Sequence, residues 1–147
     1  NMEQIISALG ESEKKVVFPI HPRTIKYLSE YGILDKLPGN IILTGPRGYL
    51  DMIRLMTYAD KILTDSGGIQ KEAYLLGVPC ITLRENTEWV ETIQDGWNVL
   101  VGADEEKILS AIIEFSPLAQ QREAFGPPGA SERIAAIIGS PGENQNQ

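Results

Sequence analysis

The sequence is poor in the residues that build covalent or metal-held sites. It has one cysteine and one histidine in 147 residues. One thiol cannot close an internal disulfide or form a cysteine cage, and with a single imidazole beside it no dedicated zinc site is expected. No apolar run approaches the roughly 20 residues needed to cross a bilayer as a helix. There is no basic run either, and the formal net charge is −7, which argues against nucleic acid or an anionic membrane surface as a partner. No charged-then-apolar leader stands at Asn1, so no secretory signal is expected, and a reducing cytoplasm is the expected compartment.

What is present is an ordinary globular composition. Apolar residues make up 42% and charged residues 22% of the chain, enough for one domain with a hydrophobic core. Short β-rich runs alternate with amphipathic ones from end to end. "NMEQIISALG" (1–10) carries apolar residues at helical spacing and stops on a glycine. "KKVVFPIH" (14–21), "NIILTGP" (40–46), "KILTD" (61–65), "VPCITL" (78–83) and "WNVLVG" (97–102) read as five buried strands. Between and after them, helices are expected over 23–33, 49–60, 67–77, 87–96, 104–115 and 130–139. "SPLAQQREAFGPPG" (116–129) is expected to be the loosest segment, and residues 140–147 a polar tail. Strand–helix alternation of this kind predicts an α/β fold: a parallel sheet covered by helices on both faces.

In an open parallel sheet, ligands bind beyond the carboxyl ends of the strands. Four of the five predicted strand ends carry groups suited to a phosphorylated or sugar ligand. The strongest junction is Asp65-Ser66-Gly67-Gly68, running directly into a helix. A helix start offers unpaired N–H groups and the positive end of its dipole, and two glycines let an anion approach them. Ser66 reads either as the helix cap or as a hydroxyl donor to a phosphate. Glu72, about one turn on, suits a ribose diol. The same residues also read as a capped helix with a plain turn and a surface glutamate. His21, the lone histidine, reads either as a structural residue or, from its place at the first strand end before Pro22, as a donor to a phosphate or leaving group. Arg47 and Arg84 are candidate anion contacts or plain surface charges. Cys80 reads as a buried, inert thiol. Met52 reads as core with access to the mouth.

The stretches "FPIHPRT", "GYLDMIRLM", "LTDSGGIQKEAYLLGVPCITLRENTEWVE" and "GWNVLVG" resemble the second half of the non-hydrolysing UDP-N-acetylglucosamine 2-epimerases. The resemblance runs through nearly the whole chain to "ASERI". It implies one half of a glycosyltransferase-B-like fold, in which two Rossmann-like domains face each other across the nucleotide-sugar. It implies that Ser66, Gly67 and Gly68 hold the diphosphate of UDP, that Glu72 binds the ribose, and that His21 faces the diphosphate. Met52 stands where the family often has an aromatic near the uracil. Arg84 and Glu88 belong to the loop closing over the nucleotide. Two departures stand out: Trp89 occupies a position where many bacterial members have an arginine, and "GPRG" around Arg47 replaces an acidic-Pro-Leu loop. The implied reaction inverts C2 of the sugar by eliminating and re-adding UDP, with no redox cofactor and no metal. The implied partners are a UDP-sugar and, in the full-length form, a second copy of the chain. The implied pathway is surface-polysaccharide synthesis.

The resemblance also carries an expectation about the sheet. The Rossmann strand order 3-2-1-4-5-6 puts the first strand in the middle, and by resemblance the chain starts just after that strand. The five strands would then be the second to the sixth, with a gap between "VVFPI" and "KILT". Residues 1–139 are thus expected to be a partial UDP-binding domain of a longer polypeptide, whose acid–base carboxylates lie in a missing N-terminal domain. The alternative is the donor-binding domain of a UDP-sugar glycosyltransferase.

Overall fold

Two small parallel sheets, side by side, form the centre of the chain. The computed structural model describes residues 2–139; the polar tail expected over 140–147 lies outside them. β1 (Val16–Pro19) pairs with β2 (Ile41–Thr44), while β3 (Ile62–Thr64), β4 (Cys80–Thr82) and β5 (Asn98–Leu100) form a second sheet in that order. All three pairings are parallel. No backbone hydrogen bond joins β1 to β3 among the described residues. The expected gap between the first and third strands is therefore there, and Val17 on β1 stays 45% exposed.

Among the described residues are seven α-helices, α1 (Met2–Glu11), α2 (Pro22–Glu30), α3 (Tyr49–Thr57), α4 (Gly67–Leu76), α5 (Val90–Gln94), α6 (Glu105–Glu114) and α7 (Ala130–Gly139), and a short 3-10 helix over Leu34–Lys36; α1–α6 clothe the sheets, while α7 buries no residue. The two-residue period of β4 sorts them into layers. Ile81 packs with Ile6 and Leu9 of α1, Leu28 of α2, and Ile108 and Ile112 of α6. Its neighbour Cys80 points the other way, onto Met56 of α3 and Ala73 of α4. The first cluster holds Ile20 and Ile41 beside the first sheet together with Ile81 and Val101 beside the second, so shared side chains rather than a continuous ladder unite the sheets. Each fully buried isoleucine there contributes roughly 1.5–3 kcal/mol by transfer from water.

The helix ends follow their sequence signals. Gly77 closes α4 in the left-handed conformation at φ +70°. Asp104 caps α6, its Oδ1 accepting from the Lys107 N–H at 3.0 Å. At the other end of α6, the Lys61 ammonium donates to the carbonyls of Ala111 (3.0 Å) and Ile112.

The segment 116–129, expected to be the loosest, has no helix or strand but is tied to the second sheet's helices. The Tyr74 hydroxyl donates to the Asp95 carboxylate and lies 2.8 Å from the Arg122 carbonyl. Arg122 donates to Asp95 through both its side chain and its backbone N–H. Phe125 stands edge-on to Tyr74 and Trp89 at 5.3 and 5.6 Å, and Trp97 donates to the Ala119 carbonyl. Burial, then the bond to Asp95, pushes the Tyr74 hydroxyl up to about 12. The Tyr74 hydroxyl first, with Arg122 behind it, holds the Asp95 carboxyl below its ordinary range against the opposing effect of burial. These contacts join residues up to 48 apart in sequence, beyond the reach of local composition.

Candidate functional site

The turn from β3 into α4 sits beside the β4–α5 loop, and the two build one surface. Ser66 is the N-cap of α4 in extended conformation, yet its hydroxyl makes no capping bond. Thr64 closes the turn from behind, its Oγ1 accepting from the Ser66 N–H at 3.0 Å. The first intrahelical bond here is from the Gln70 N–H to the Ser66 carbonyl. The N–H groups of Gly67, Gly68 and Ile69 have no partner among the described residues. Three free donors at the positive end of a helix form an anion seat. Gly68 opens onto space: a side chain there would meet only the Ser66 hydroxyl, at 3.9 Å.

Gly67 is different. A side chain at Gly67 would collide with the carboxylate of Glu88, which reaches over it from the β4–α5 loop. Arg84 holds that carboxylate at 3.1 Å and also donates to Asn86 at 3.2 Å. One residue after Arg84, the Glu85 carboxylate lies against Gly102 (φ +61°) at the end of β5 in the same way. The loop is thus seated on a glycine at the strand end on either side of it. The Arg84–Glu88 pair is half exposed, so it contributes position rather than much stability. The Trp89 indole also belongs to this surface. Its Nε1 is buried without a partner and lies 3.5 Å from where a Gly67 side chain would stand. The Lys71 ammonium sits 4.6 Å over its ring.

Beneath the loop runs a buried polar ladder. Thr82 donates to Asn98 Oδ1 at 2.7 Å, and Asn98 Nδ2 donates to Thr92 at 3.0 Å and to Gln70 Oε1 at 3.4 Å. Thr87 donates to the same Gln70 oxygen at 2.6 Å. Thr82, Gln70 and Thr92 are fully buried. None of these five was singled out from the sequence. The available signal was a polar residue inside an apolar strand, Thr82 in "VPCITL" and Asn98 in "WNVLVG". Cys80, next to this ladder, is buried, and burial pushes its thiol up to about 11, in keeping with an inert thiol.

The structure brings Ser66, Gly67, Gly68, Arg84 and Glu88 together and sets the other candidates around them. Glu72 is half-buried on the second turn of α4, its carboxylate free of hydrogen bonds and ion pairs among the described residues. Met52 packs against the Met56–Ala73–Cys80 cluster, on the helix beside α4. His21 and Arg47 are exposed beyond the carboxyl ends of β1 and β2, on the other sheet from the strand that leads into the α4 turn. His21 does something the sequence did not announce: it caps α2, with Nδ1 accepting from the Arg23 N–H at 3.2 Å. That leaves its proton on Nε2, free to donate. An open depression of about 680 Å³ lies elsewhere, lined by residues such as Glu3, Tyr31, Lys36 and Glu105, and includes none of the candidate residues. The candidate site is an open surface rather than an enclosed pocket.

Comparison with known proteins gives a consistent picture. The sequence profile of the UDP-N-acetylglucosamine 2-epimerase family matches residues 1–139. A UDP-N-acetylglucosamine 2-epimerase homolog of Methanococcus maripaludis is 52% identical over 141 residues, covering 94% of this chain and 40% of that protein. A UDP-2,3-diacetamido-2,3-dideoxy-D-glucuronate 2-epimerase of Pseudomonas aeruginosa is 42% identical over 142 residues, covering 93% of this chain and 39% of that protein. Among solved structures, the UDP-N-acetylglucosamine 2-epimerase of Methanocaldococcus jannaschii in complex with UDP-N-acetylglucosamine and UDP superposes with a TM-score of 0.85 at 41% identity, over 94% of this chain and 40% of that one. The chain spans about 40% of the length of the proteins it matches.

Proposed function

The chain belongs to the UDP-N-acetylglucosamine 2-epimerase family, and from that premise we propose that it is the UDP-binding half of an isomerase that interconverts UDP-N-acetylglucosamine and UDP-N-acetylmannosamine. The observation that carries this reading is the seat of three unpartnered N–H groups at Gly67, Gly68 and Ile69, with the free Ser66 hydroxyl at its edge. The diphosphate of UDP rests there, at about 1.5–3 kcal/mol for each hydrogen bond to a charged group. Glu72 accepts from the ribose hydroxyls. His21 offers its Nε2 proton to the diphosphate, Arg84 and Arg47 add positive charge, and Met52 with the Glu88 loop borders the base.

In the reaction, a base removes the C2 proton as the C1–O bond to UDP breaks, leaving a 2-acetamidoglycal. Protonation of C2 on the opposite face and return of UDP to C1 give the epimer. Catalysis of the proton transfers falls to carboxylates beyond these 147 residues, so this chain alone binds the nucleotide and does not turn it over. We read residues 2–139 as a domain whose sheet takes one more strand between β1 and β3, which the absence of pairing there supports. A second domain facing the carboxyl ends of the strands would account for a site that is open here. By the same family reading, the full-length protein works as a homodimer in the cytoplasm and feeds surface-polysaccharide synthesis. A second reading keeps the chemistry and changes the sugar to a diacetamido uronate, as the name of the Pseudomonas relative favours. No observation of its own favours the glycosyltransferase alternative.

Calorimetry of the 147-residue chain with UDP tests the assignment. Wild type binds at one site, and Glu72→Ala binds about tenfold more weakly, roughly the loss of one charge-assisted hydrogen bond. Equal affinities would sink the ribose contact. No binding by wild type at millimolar UDP would sink the reading as a whole.

A further inference from the structure

The buried ladder under the β4–α5 loop has no place in the chemistry just described, yet it is the part of the domain where polar groups are most expensively enclosed. Gln70 is fully buried, and its Nε2 has no partner. An apolar residue would fill this position without that desolvation cost. What Gln70 does is hold Thr87: its Oε1 receives the Thr87 hydroxyl at 2.6 Å. The same hydroxyl oxygen receives the backbone N–H of Trp89 at 3.0 Å, and the Thr92 hydroxyl donates to the Trp89 carbonyl at 2.7 Å. Asn98, itself tied to Thr82, supports both Gln70 and Thr92. Residues 87–89 are therefore gripped from below at two points, Thr87 by Gln70 and the Trp89 carbonyl by Thr92, and cross-braced by the bond between Trp89 and Thr87.

The geometry of the grip gives it a purpose. Gln70 belongs to the first turns of α4, the helix whose N-terminus forms the anion seat. Thr87 stands between Arg84, which bonds the Glu88 carboxylate lying over Gly67, and Trp89, whose unpartnered Nε1–H faces the same glycine. One helix thus supplies both the seat and the tether of the groups that border it, so the distance between them is set within a few side chains. We propose that Gln70 and Thr87, backed by Asn98, are positioning residues: they hold the loop so that Arg84 and the Trp89 Nε1–H border the N-terminus of α4, ready for the nucleotide diphosphate. This rests on the reading of that terminus as the UDP seat. None of the three touches the nucleotide; each acts through Arg84 and Trp89.

The test compares Thr87→Val, which keeps the shape and loses the hydroxyl, with Thr87→Ser, which keeps the hydroxyl. The background is Trp97→Phe, so that Trp89 is the sole indole. In the absence of ligand, Thr87→Val shifts the Trp89 emission to longer wavelength as the loop lifts, and Thr87→Ser leaves it in place. In calorimetry with UDP, Thr87→Val binds about tenfold more weakly, the size of one lost hydrogen-bond constraint on the loop. Thr87→Ser restores the affinity to within about twofold, and both variants melt within a few degrees of the parent. Unchanged emission and unchanged affinity in Thr87→Val would overturn the proposal. So would a loss that Thr87→Ser fails to rescue, because the methyl rather than the hydroxyl would then be at work. If the parent itself does not bind UDP, the functional reading fails, and the ligand-free emission still decides whether the tether exists.

Discussion

Gly67→Val lowers UDP affinity by about two orders of magnitude while leaving the melting temperature within a few degrees of wild type. The expectation rests on what surrounds Gly67. An added side chain there meets the tip of Glu88 and, farther off, the Trp89 indole. The tip of a flexible, half-exposed glutamate moves aside at little cost, and Gly67 is at an ordinary helical position rather than a left-handed one. Folding therefore tolerates the change. Binding does not, because the new methyl groups stand over the N–H donors and the displaced Glu88 takes its Arg84 partner with it. Two charge-assisted hydrogen bonds at about 1.5–3 kcal/mol each correspond to a hundredfold or more. Thermal melts alongside calorimetry check it: a drop in melting temperature that matches the loss of affinity would mean that Gly67 serves the fold and not the ligand.

The second large effect has the opposite signature. Ile81→Ala destabilises the chain by about 2–5 kcal/mol, a large part of the roughly 5–15 kcal/mol that holds a domain together. Ile81 is fully buried on the middle strand of the second sheet and belongs to the cluster that bridges to the first sheet. The cavity it leaves lies where α1, α6 and both sheets meet, with little room to collapse. Urea unfolding should show the midpoint falling with an unchanged slope, whereas Val17→Ala, on a strand position that is 45% exposed, changes stability by well under about 1 kcal/mol. Equal effects of the two substitutions would mean that the shared cluster does not unite the sheets. Below its melting temperature, the Ile81→Ala chain still binds UDP with near-normal affinity, since the site lies beyond the strand ends.

The contrast between these two substitutions tracks what the sequence made legible. Apolar runs placed the five strands and seven α-helices of the described residues, though not the short 3-10 helix over Leu34–Lys36, since burial imposes its period directly on the strands and on α1–α6. Ends were harder to read. "KKVVFPIH" reads as a strand to His21, but β1 stops at Pro19 and His21 turns to cap α2, because Pro22 suits the first helical position. "TEWVETIQDG" reads as a helix from Thr87, but α5 starts at Val90, because Thr87 and Trp89 spend their hydrogen bonds on the loop. The Asp65–Gly68 junction was legible as a glycine-rich start of a helix, with an anion seat and a plain capped turn standing as even readings of the same four residues. The Glu88 cover over Gly67 was not, and neither was the ladder from Thr82 through Asn98 to Gln70. Those contacts join residues 16 and 28 apart, and side chains so distant in sequence meet only when the sheet forms.

If the α4 terminus and the loop beside it hold UDP, titrating the 15N-labelled chain with the nucleotide moves the amide signals of Ser66, Gly67, Gly68 and Ile69 farthest, with smaller shifts at Glu72 and from Arg84 to Trp89. Shifts confined to the depression around Tyr31, Lys36 and Glu105, with Gly67 and Gly68 unmoved, would contradict that placement.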